Sequence, residues 1–395
     1  MRIAIAGAGI GGLAAAVALR RDGHEVTVFE QASQLSEIGA GIQLSPNANR
    51  VLTWLGLMDD VERIAVEPAR GDLRRWDDGS VLVSQPLGAE VRERYGFPYF
   101  HVHRADLHQI LVRAANGCDV ELGRCVAGID GPIGDRSDGG VRVGFDDGTE
   151  AGPFDLLVGA DGIHSAVRQH LFGAESPRFS GNAVWRGLVD QASVAHLDLP
   201  VHSHGFLGPG RHFVTYYVSA GRYVNWVAVA PSETWDRESW TEPGEFADAV
   251  ADFAGWCPTV TGLIAAMQGK PIYRWALFDR DPLPEWGRGP ITLLGDACHP
   301  MLPFMAQGAA QAIEDAAVLT GCLSTASDPA DAARHYEDLR KERTANVQLA
   351  ARRNEVMFHL PDGPDQRERD ARLAEPESQS THRNAWLFDY DATQP

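Results

Sequence analysis

Two stretches of this chain, nearly 300 residues apart, make the same unusual junction. Residues 2–6 form an apolar run that passes through Gly7-Ala-Gly9-Ile-Gly11-Gly12 into the alanine-rich segment Leu13-Ala-Ala-Ala-Val-Ala-Leu. Residues 291–319 repeat the plan: an apolar run, Gly295-Asp296, and a glycine-entered helix pattern opening at Gly308-Ala309-Ala310. A strand that ends in glycines and feeds a helix presents backbone N–H groups and the positive helix end to an anion. Both junctions therefore predict one nucleotide held from the two ends of the sequence.

In the first junction Gly7 permits the tight turn, Gly9 lets a pyrophosphate approach the main chain, and Gly12 allows the helix to pack closely on the strand. G-x-G-x-x-G alone is a weak signal. Its context here is stronger, because a second strand, residues 24–30, ends at Glu30, with Gln31 next, where an acid would meet a ribose hydroxyl. A carboxylate there repels a 2′-phosphate, which favours NAD or FAD over NADP at this position.

A chain of 395 residues with 44% hydrophobic and 23% charged residues has enough apolar material for two joined domains. The formal charge of −19 argues against nucleic acid or an anionic membrane as a partner, and any anion must be held by local groups. No apolar run reaches the length of a membrane helix, and the first strand begins at Arg2, so the expected location is cytoplasmic. The five cysteines contain no C-x-x-C pair, which predicts reduced thiols and no structural zinc site. His101, His103 and His108 alternate with no carboxylate or cysteine to complete a metal set, so no metal is expected.

Two further segments belong with the glycine turns. Arg104 stands at the entrance of a helix pattern (Leu107, Ile110, Leu111, Ala114), where it either bonds ribose or phosphate or pairs with Asp106. Residues 155–168 form another apolar strand ending in Asp161-Gly162-Ile-His-Ser165, which in bare chemistry could be only a capped helix.

Taken together, the glycine fingerprint with Glu30, the segment Asp161-Gly162-Ile-His-Ser165-Ala-Val-Arg168, and Gly295-Asp296-Ala-Cys-His299-Pro300 with Pro303 and Gly308 resemble the single-component FAD-dependent aromatic hydroxylases. The likeness spans residues 1 to about 350. Within that family the tracts 39–47, 94–100 and 103–108 look most like 3-hydroxybenzoate 6-hydroxylase, salicylate hydroxylase and 6-hydroxynicotinate 3-monooxygenase.

The resemblance implies an α/β fold of the para-hydroxybenzoate hydroxylase kind. A Rossmann-like FAD-binding domain (residues 1–72, 101–175 and 276–345) would carry an inserted mixed-sheet substrate domain (73–100 and 176–275) and a C-terminal helical segment (346–395). It implies that Asp296 accepts hydrogen bonds from ribityl or ribose hydroxyls, that Gly295 lies against the pyrophosphate, and that Arg104 holds the nucleotide half. Asp161 would serve FAD and the passing nicotinamide, and Pro303, Gly308 and Ala309 would lie at the flavin. The helix opening at Gly308 would aim its N-terminus at the N1–C2=O edge of the ring. Only one glycine fingerprint occurs, so NAD(P)H would bind transiently across the surface. The implied reaction is reduction of FAD by NAD(P)H, addition of O₂ at C4a, and transfer of OH from that hydroperoxide to an electron-rich ring. A monomer or homodimer fits equally.

Residues 176–275 change to strands of mixed polarity, as in a sheet that covers a pocket, and residues 73–87, with an Asp77-Asp78-Gly79 turn, belong with them. Asp146-Asp147-Gly148 marks a further hairpin on the FAD side. His212 and Tyr216, four apart on a strand, share one face. They are either an imidazole and phenol that take a proton from a phenolic substrate, or ordinary inward residues of a half-buried sheet. By the pattern His-Phe-x-x-Tyr both match positions near the substrate in 3-hydroxybenzoate 6-hydroxylase. Gln43 falls in the loop expected beside flavin and substrate.

At Gln43 and Phe304 the 6-hydroxynicotinate enzymes carry histidine, and at Pro303 the 3-hydroxybenzoate enzymes carry glutamine, so this chain departs from both. Arg186 and Arg211 are candidate carboxylate anchors or surface ion-pair partners. Phe213, Tyr217, Phe304 and Trp226 are candidates for keeping the pocket dry, or plain core. Two other functions stay open on the sequence: a flavin reductase or oxidase without oxygen insertion, and a non-catalytic nucleotide-binding protein. A halogenase is disfavoured, since none of the ten tryptophans forms W-x-W. Residues 343–359 look helical, residues 361–380 polar enough for loops, and Trp386–Tyr390 able to dock on the body or on a second subunit.

Overall fold

The computed structural model describes residues 1–35, 40–131, 140–233 and 243–394. Gly39, in one of the tracts that carry the resemblance, lies outside them.

A six-stranded sheet forms the centre, in the order Gly287–Arg288, Ile291–Leu293, Leu156–Gly159, Arg2–Ala6, Glu25–Glu30, Asp119–Leu122. Every neighbour pair is parallel except the short arm Gly287–Arg288. Ile3, Ala4, Ile5, Leu156, Leu157 and Val158 are fully buried, as required of strands covered on both faces. The strands that precede the three glycine-containing motifs are thus adjacent and parallel, so the motifs emerge together at one end of the sheet, where such folds bind ligands. The hairpin turning at Asp147 belongs to a small three-stranded sheet whose Phe145 and Phe154 stack edge-on against Phe29 of the central sheet.

A second sheet of seven strands runs Tyr273–Asp279, Arg178–Asp190, Tyr223–Pro231, Arg211–Val218, Ser203–Gly208, Arg70–Arg75, Val81–Pro86. Its pairs are antiparallel except Ser203–Gly208 with Arg70–Arg75. The residues 73 and 276, expected as domain limits, fall inside strands of this sheet. One face packs Trp185, Phe213 and Trp226 against Phe253, Val260 and Leu263, on and beside the helices Phe246–Asp252 and Pro258–Ala265. The other face looks toward the central sheet.

The C-terminal part is more regular than its polarity suggests. Helix Pro329–Phe358 runs for 30 residues, and the stretch expected as loop contains the helix Pro364–Leu373. Leu387 and Phe388 dock on the body against Tyr95 and Tyr99. A buried charge network fastens the long helix to helix Gly308–Thr325: Arg340 donates to Asp315 (2.8 Å) and Glu314, and Arg343 donates to Glu314 (2.8 Å). Burial alone would raise the Asp315 carboxyl, but His299 and Arg340 beside it hold it down at about 2. Two carboxylates facing two guanidinium groups satisfy each other, and removing any one would strand a buried charge. Among the described residues no helix is long and apolar enough to cross a membrane.

Candidate active site

A cleft of about 920 Å³ opens between the two sheets, and residues from all three glycine-containing motifs line it. At its nucleotide end stand Gly9, Arg104, Gly162, Gly295, Asp296, Pro303, Gly308 and Ala309. The glycines divide by function. A Cβ on Gly12 would lie 2.0 Å from the Gly7 carbonyl oxygen and one on Gly7, whose φ is +101°, 2.4 Å from that of Ala160, so these two serve the fold. Gly9, Gly162 and Gly308 instead face open space, with no atom within 4 Å of a Cβ built there. Their bare backbone and the start of the 18-residue helix Gly308–Thr325 are suited to an anionic or polar ligand.

Asp296 is the acid at this end of the cleft placed to accept a ligand's hydrogen bonds. It lines the cleft and accepts no hydrogen bond among the described residues, while burial raises its pKa and the neighbouring His299 and Arg104 oppose that rise. Hydroxyl groups of a bound nucleotide would satisfy it. Arg104, the first residue of helix Arg104–Ala114, lines the same end. The residues present therefore fit FAD.

Three other residues expected at the cofactor do not line this cleft. Glu30 accepts the Ala8 and Ala32 N–H groups, both at 2.8 Å, so it ties the glycine turn to the strand end. Neither it nor Gln31 is part of the cleft wall. Asp161 accepts from Ser165 Oγ (2.5 Å) and from the N–H groups of Ala166 (2.7 Å) and Val167 (3.2 Å), which makes it a cap of helix Ala166–Phe172. Its neighbours Gly162, Ile163 and His164 reach the cleft in its place.

The far end of the cleft is built from alternate residues of the seven-stranded sheet. His212, Val214 and Tyr216 project into it, with Val184 and Arg186 from the next strand but one and Val227 and Val229 between them. Phe213 and Trp226 point to the opposite face, into the helix-covered core, and Tyr217 packs against that core and bonds Leu199 O. Of the four aromatics expected to dry the pocket, only Phe304 lines it. Arg211 likewise points away and pairs with Asp252 at 3.7 Å. Arg186 remains in the cleft, its guanidinium 3.8 Å over the Trp275 ring, with burial pulling its pKa to about 9.

Gln43 and Tyr216 meet here: Tyr99 OH donates to Gln43 Oε1, Gln43 Nε2 donates to Ser203 Oγ at 3.5 Å, and Gln43 acts to lower the Tyr216 phenol against its burial. The His101 ring lies 4.3 Å from that of Tyr216. Burial keeps both phenols neutral, raising Tyr99 and Tyr216 above their ordinary values, and holds His101 down at about 3. His212 is buried and its Nδ1 lies 2.7 Å from His359 Nε2. Burial, then the neighbouring His359, keeps His212 well below its ordinary value, so it is neutral and able to accept a proton. The C-terminal segment closes this end with Arg383, Trp386 and Phe388. Nothing in the sequence pattern marks Arg383 as a cleft residue or His359 as the partner of His212, because each reaches its place from a separate element of the chain's last 40 residues.

A family model described as FAD binding domain matches residues 1–353. The chain is 44% identical to 3-amino-4-hydroxybenzoate 2-monooxygenase of Streptomyces platensis, over 99% of this chain and 96% of that protein. It is 39% identical to 6-hydroxynicotinate 3-monooxygenase of Bordetella bronchiseptica, over 92% and 94%. The structure of Klebsiella pneumoniae HpxO complexed with FAD and uric acid superposes with a TM-score of 0.84 at 31% identity, covering 100% of this chain and 96% of that one. This chain belongs to the FAD-binding-domain family and is an FAD-dependent aromatic monooxygenase.

Proposed function

We propose that the substrate is a small aromatic acid bearing a ring hydroxyl, bound between Arg186 and the His212, Tyr216 and Gln43 group. The observation that carries this reading is the cleft itself, which joins a nucleotide end at Asp296 and Gly308 to a guanidinium, an imidazole and two phenols. Bound FAD would supply electron transfer from NAD(P)H and activation of O₂. Gly9, Arg104, Asp296 and Gly308 hold and orient it, with Gly295, Pro303 and Ala309 shaping the wall beside the ring.

The chain's own share in the reaction is positioning and proton removal. Arg186 faces the carboxylate with a planar pair of donors. His212 takes the ring hydroxyl's proton, which pushes electron density into the ring, and Tyr216 with Gln43 fixes the hydroxyl's direction. Phe304, Trp275 and the docked Phe388 exclude water. In this reading the six-stranded sheet and its helices serve the cofactor, and the seven-stranded sheet covers the substrate. Supporting the choice of substrate class, the similar Streptomyces platensis protein is named for 3-amino-4-hydroxybenzoate, a ring with both groups.

The test is NADH oxidation, anaerobic and then aerobic, with 3-amino-4-hydroxybenzoate, the hydroxybenzoates and 6-hydroxynicotinate, with product identification. Substrate-stimulated reduction and an oxygenated product from one member are expected. NADH consumption that yields only hydrogen peroxide with every member would sink the proposal.

A further inference from the structure

His359 is half-buried at the end of helix Pro329–Phe358, 147 residues from His212. Its Nε2 lies 2.7 Å from His212 Nδ1, with the ring centroids 4.9 Å apart and the ring planes inclined by 29°. Phe304 and Phe358 close on His212 edge-on, at 5.0 and 5.3 Å. The Gly210 N–H donates to the His359 carbonyl at 3.0 Å, so the position of the second ring is fixed from the sheet as well as from the helix. His212 lines the cleft and His359 does not. Among the described residues neither ring makes a hydrogen bond or ion pair with a carboxylate, and each has the other as its side-chain partner.

We propose that His359 is a relay residue that carries the substrate's proton from His212 to solvent. The inference rests on the reading of His212 given above. The substrate O–H bond breaks and its proton forms an N–H bond at His212 Nε2. The N–H bond at His212 Nδ1 breaks as its proton passes to His359 Nε2, and His359 Nδ1 releases its own proton to water. Both rings start and end neutral, in opposite tautomers. The electron pair stays on the substrate oxygen, and one proton reaches solvent. A lone buried imidazole would have to remain charged among Phe304 and Phe358 after taking the proton, which burial disfavours. The second ring removes that cost. Proton traffic at this site thereby leaves through the C-terminal segment, away from the cofactor end.

His359→Gln and His359→Gly test this in the FAD-loaded protein, with 3-amino-4-hydroxybenzoate as probe and His212→Ala as reference. The expected result has three parts. Probe affinity and anaerobic flavin reduction stay within about threefold, hydroxylation slows by about tenfold or more, and added imidazole at constant pH restores the rate of the glycine variant. A purely structural role would not respond to imidazole. Hydroxylation at the normal rate in both His359 variants, with His212→Ala impaired, overturns the relay and leaves the role of His212 standing. Loss in the glycine variant that imidazole does not restore also overturns it. Absence of any hydroxylated product from the wild-type protein across the aromatic acids named above overturns the substrate reading, and the relay with it.

Discussion

Gly11 and Ala312 lie so close that a Cβ on the glycine would stand 3.1 Å from the Cβ of the alanine and 2.7 Å from Leu294 Cδ2. The first and the late cofactor helices therefore touch through bare backbone. Gly11→Ala should lower stability by about 1–3 kcal/mol, since neither helix can retreat from a packed sheet. Gly9→Ala should leave the apo protein's melting temperature unchanged, because its Cβ meets nothing within 4 Å, yet weaken FAD by about tenfold or more. Thermal melts without cofactor and FAD titration separate the two. Equal destabilisation by both variants would refute the division between packing and ligand-facing glycines.

Asp296 and Asp161 should behave as opposites. Asp296 accepts no hydrogen bond among the described residues, so Asp296→Ala should retain apo stability and lose the roughly 1.5–3 kcal/mol of a charged hydrogen bond to FAD. Asp161 accepts three donors at a helix start, and Asp161→Ala should cost about 0.5–2 kcal/mol of stability with a small change in FAD affinity. Denaturation and flavin fluorescence on the two variants check both halves.

Arg186 and Arg211 sit on opposite faces of one sheet. Arg186→Gln should raise KM for the aromatic acid by about 10- to 100-fold, the loss of a charge-assisted bond, with a smaller effect on kcat. Arg211→Gln should leave KM within about twofold, since its partner Asp252 is a partly exposed surface group. Steady-state kinetics on both variants decides, and equal effects would remove Arg186 from the substrate site.

Stability should fall on mild acidification through the histidine pair. In the unfolded chain His359 titrates near 6.5, and burial in the fold lowers it to about 4. The unfolded state then binds more protons between these values. The contribution is whole above about pH 6.5 and is lost as pH falls toward about 4, on the order of 1–2 kcal/mol by pH 5. His212, held lower by burial and by His359, adds in the same direction. Urea midpoints at pH 7.5 and 5.0 should differ less in His359→Gln than in the wild type.

The cofactor half was legible because its demands are local. A turn such as Gly7 to Gly12 must be written in consecutive residues, and Asp296 follows its strand directly. Glu30 and Asp161 were recognisable as important, but whether a carboxylate bonds a ligand or its own backbone depends on a few ångströms that no spacing records. On the seven-stranded sheet, strand parity sorts the aromatics by face. His212 and Tyr216 facing one way already exclude Phe213 and Tyr217 from the same face. The choice between Arg186 and Arg211 needed the pairing of two strands, and His359 needed the path of a long helix, both long-range facts.

That helix, Pro329–Phe358, is an uninterrupted strut about 45 Å long at 1.5 Å per residue. Near its middle Arg340 grips the acids of helix Gly308–Thr325, and its end delivers His359 to His212. Phasing along the rod is consequently as important as the identity of either anchor. Deleting one residue between Arg343 and Phe358 would turn everything beyond it by about 100°, silencing the imidazole pair while each contact at the glycine turns survives.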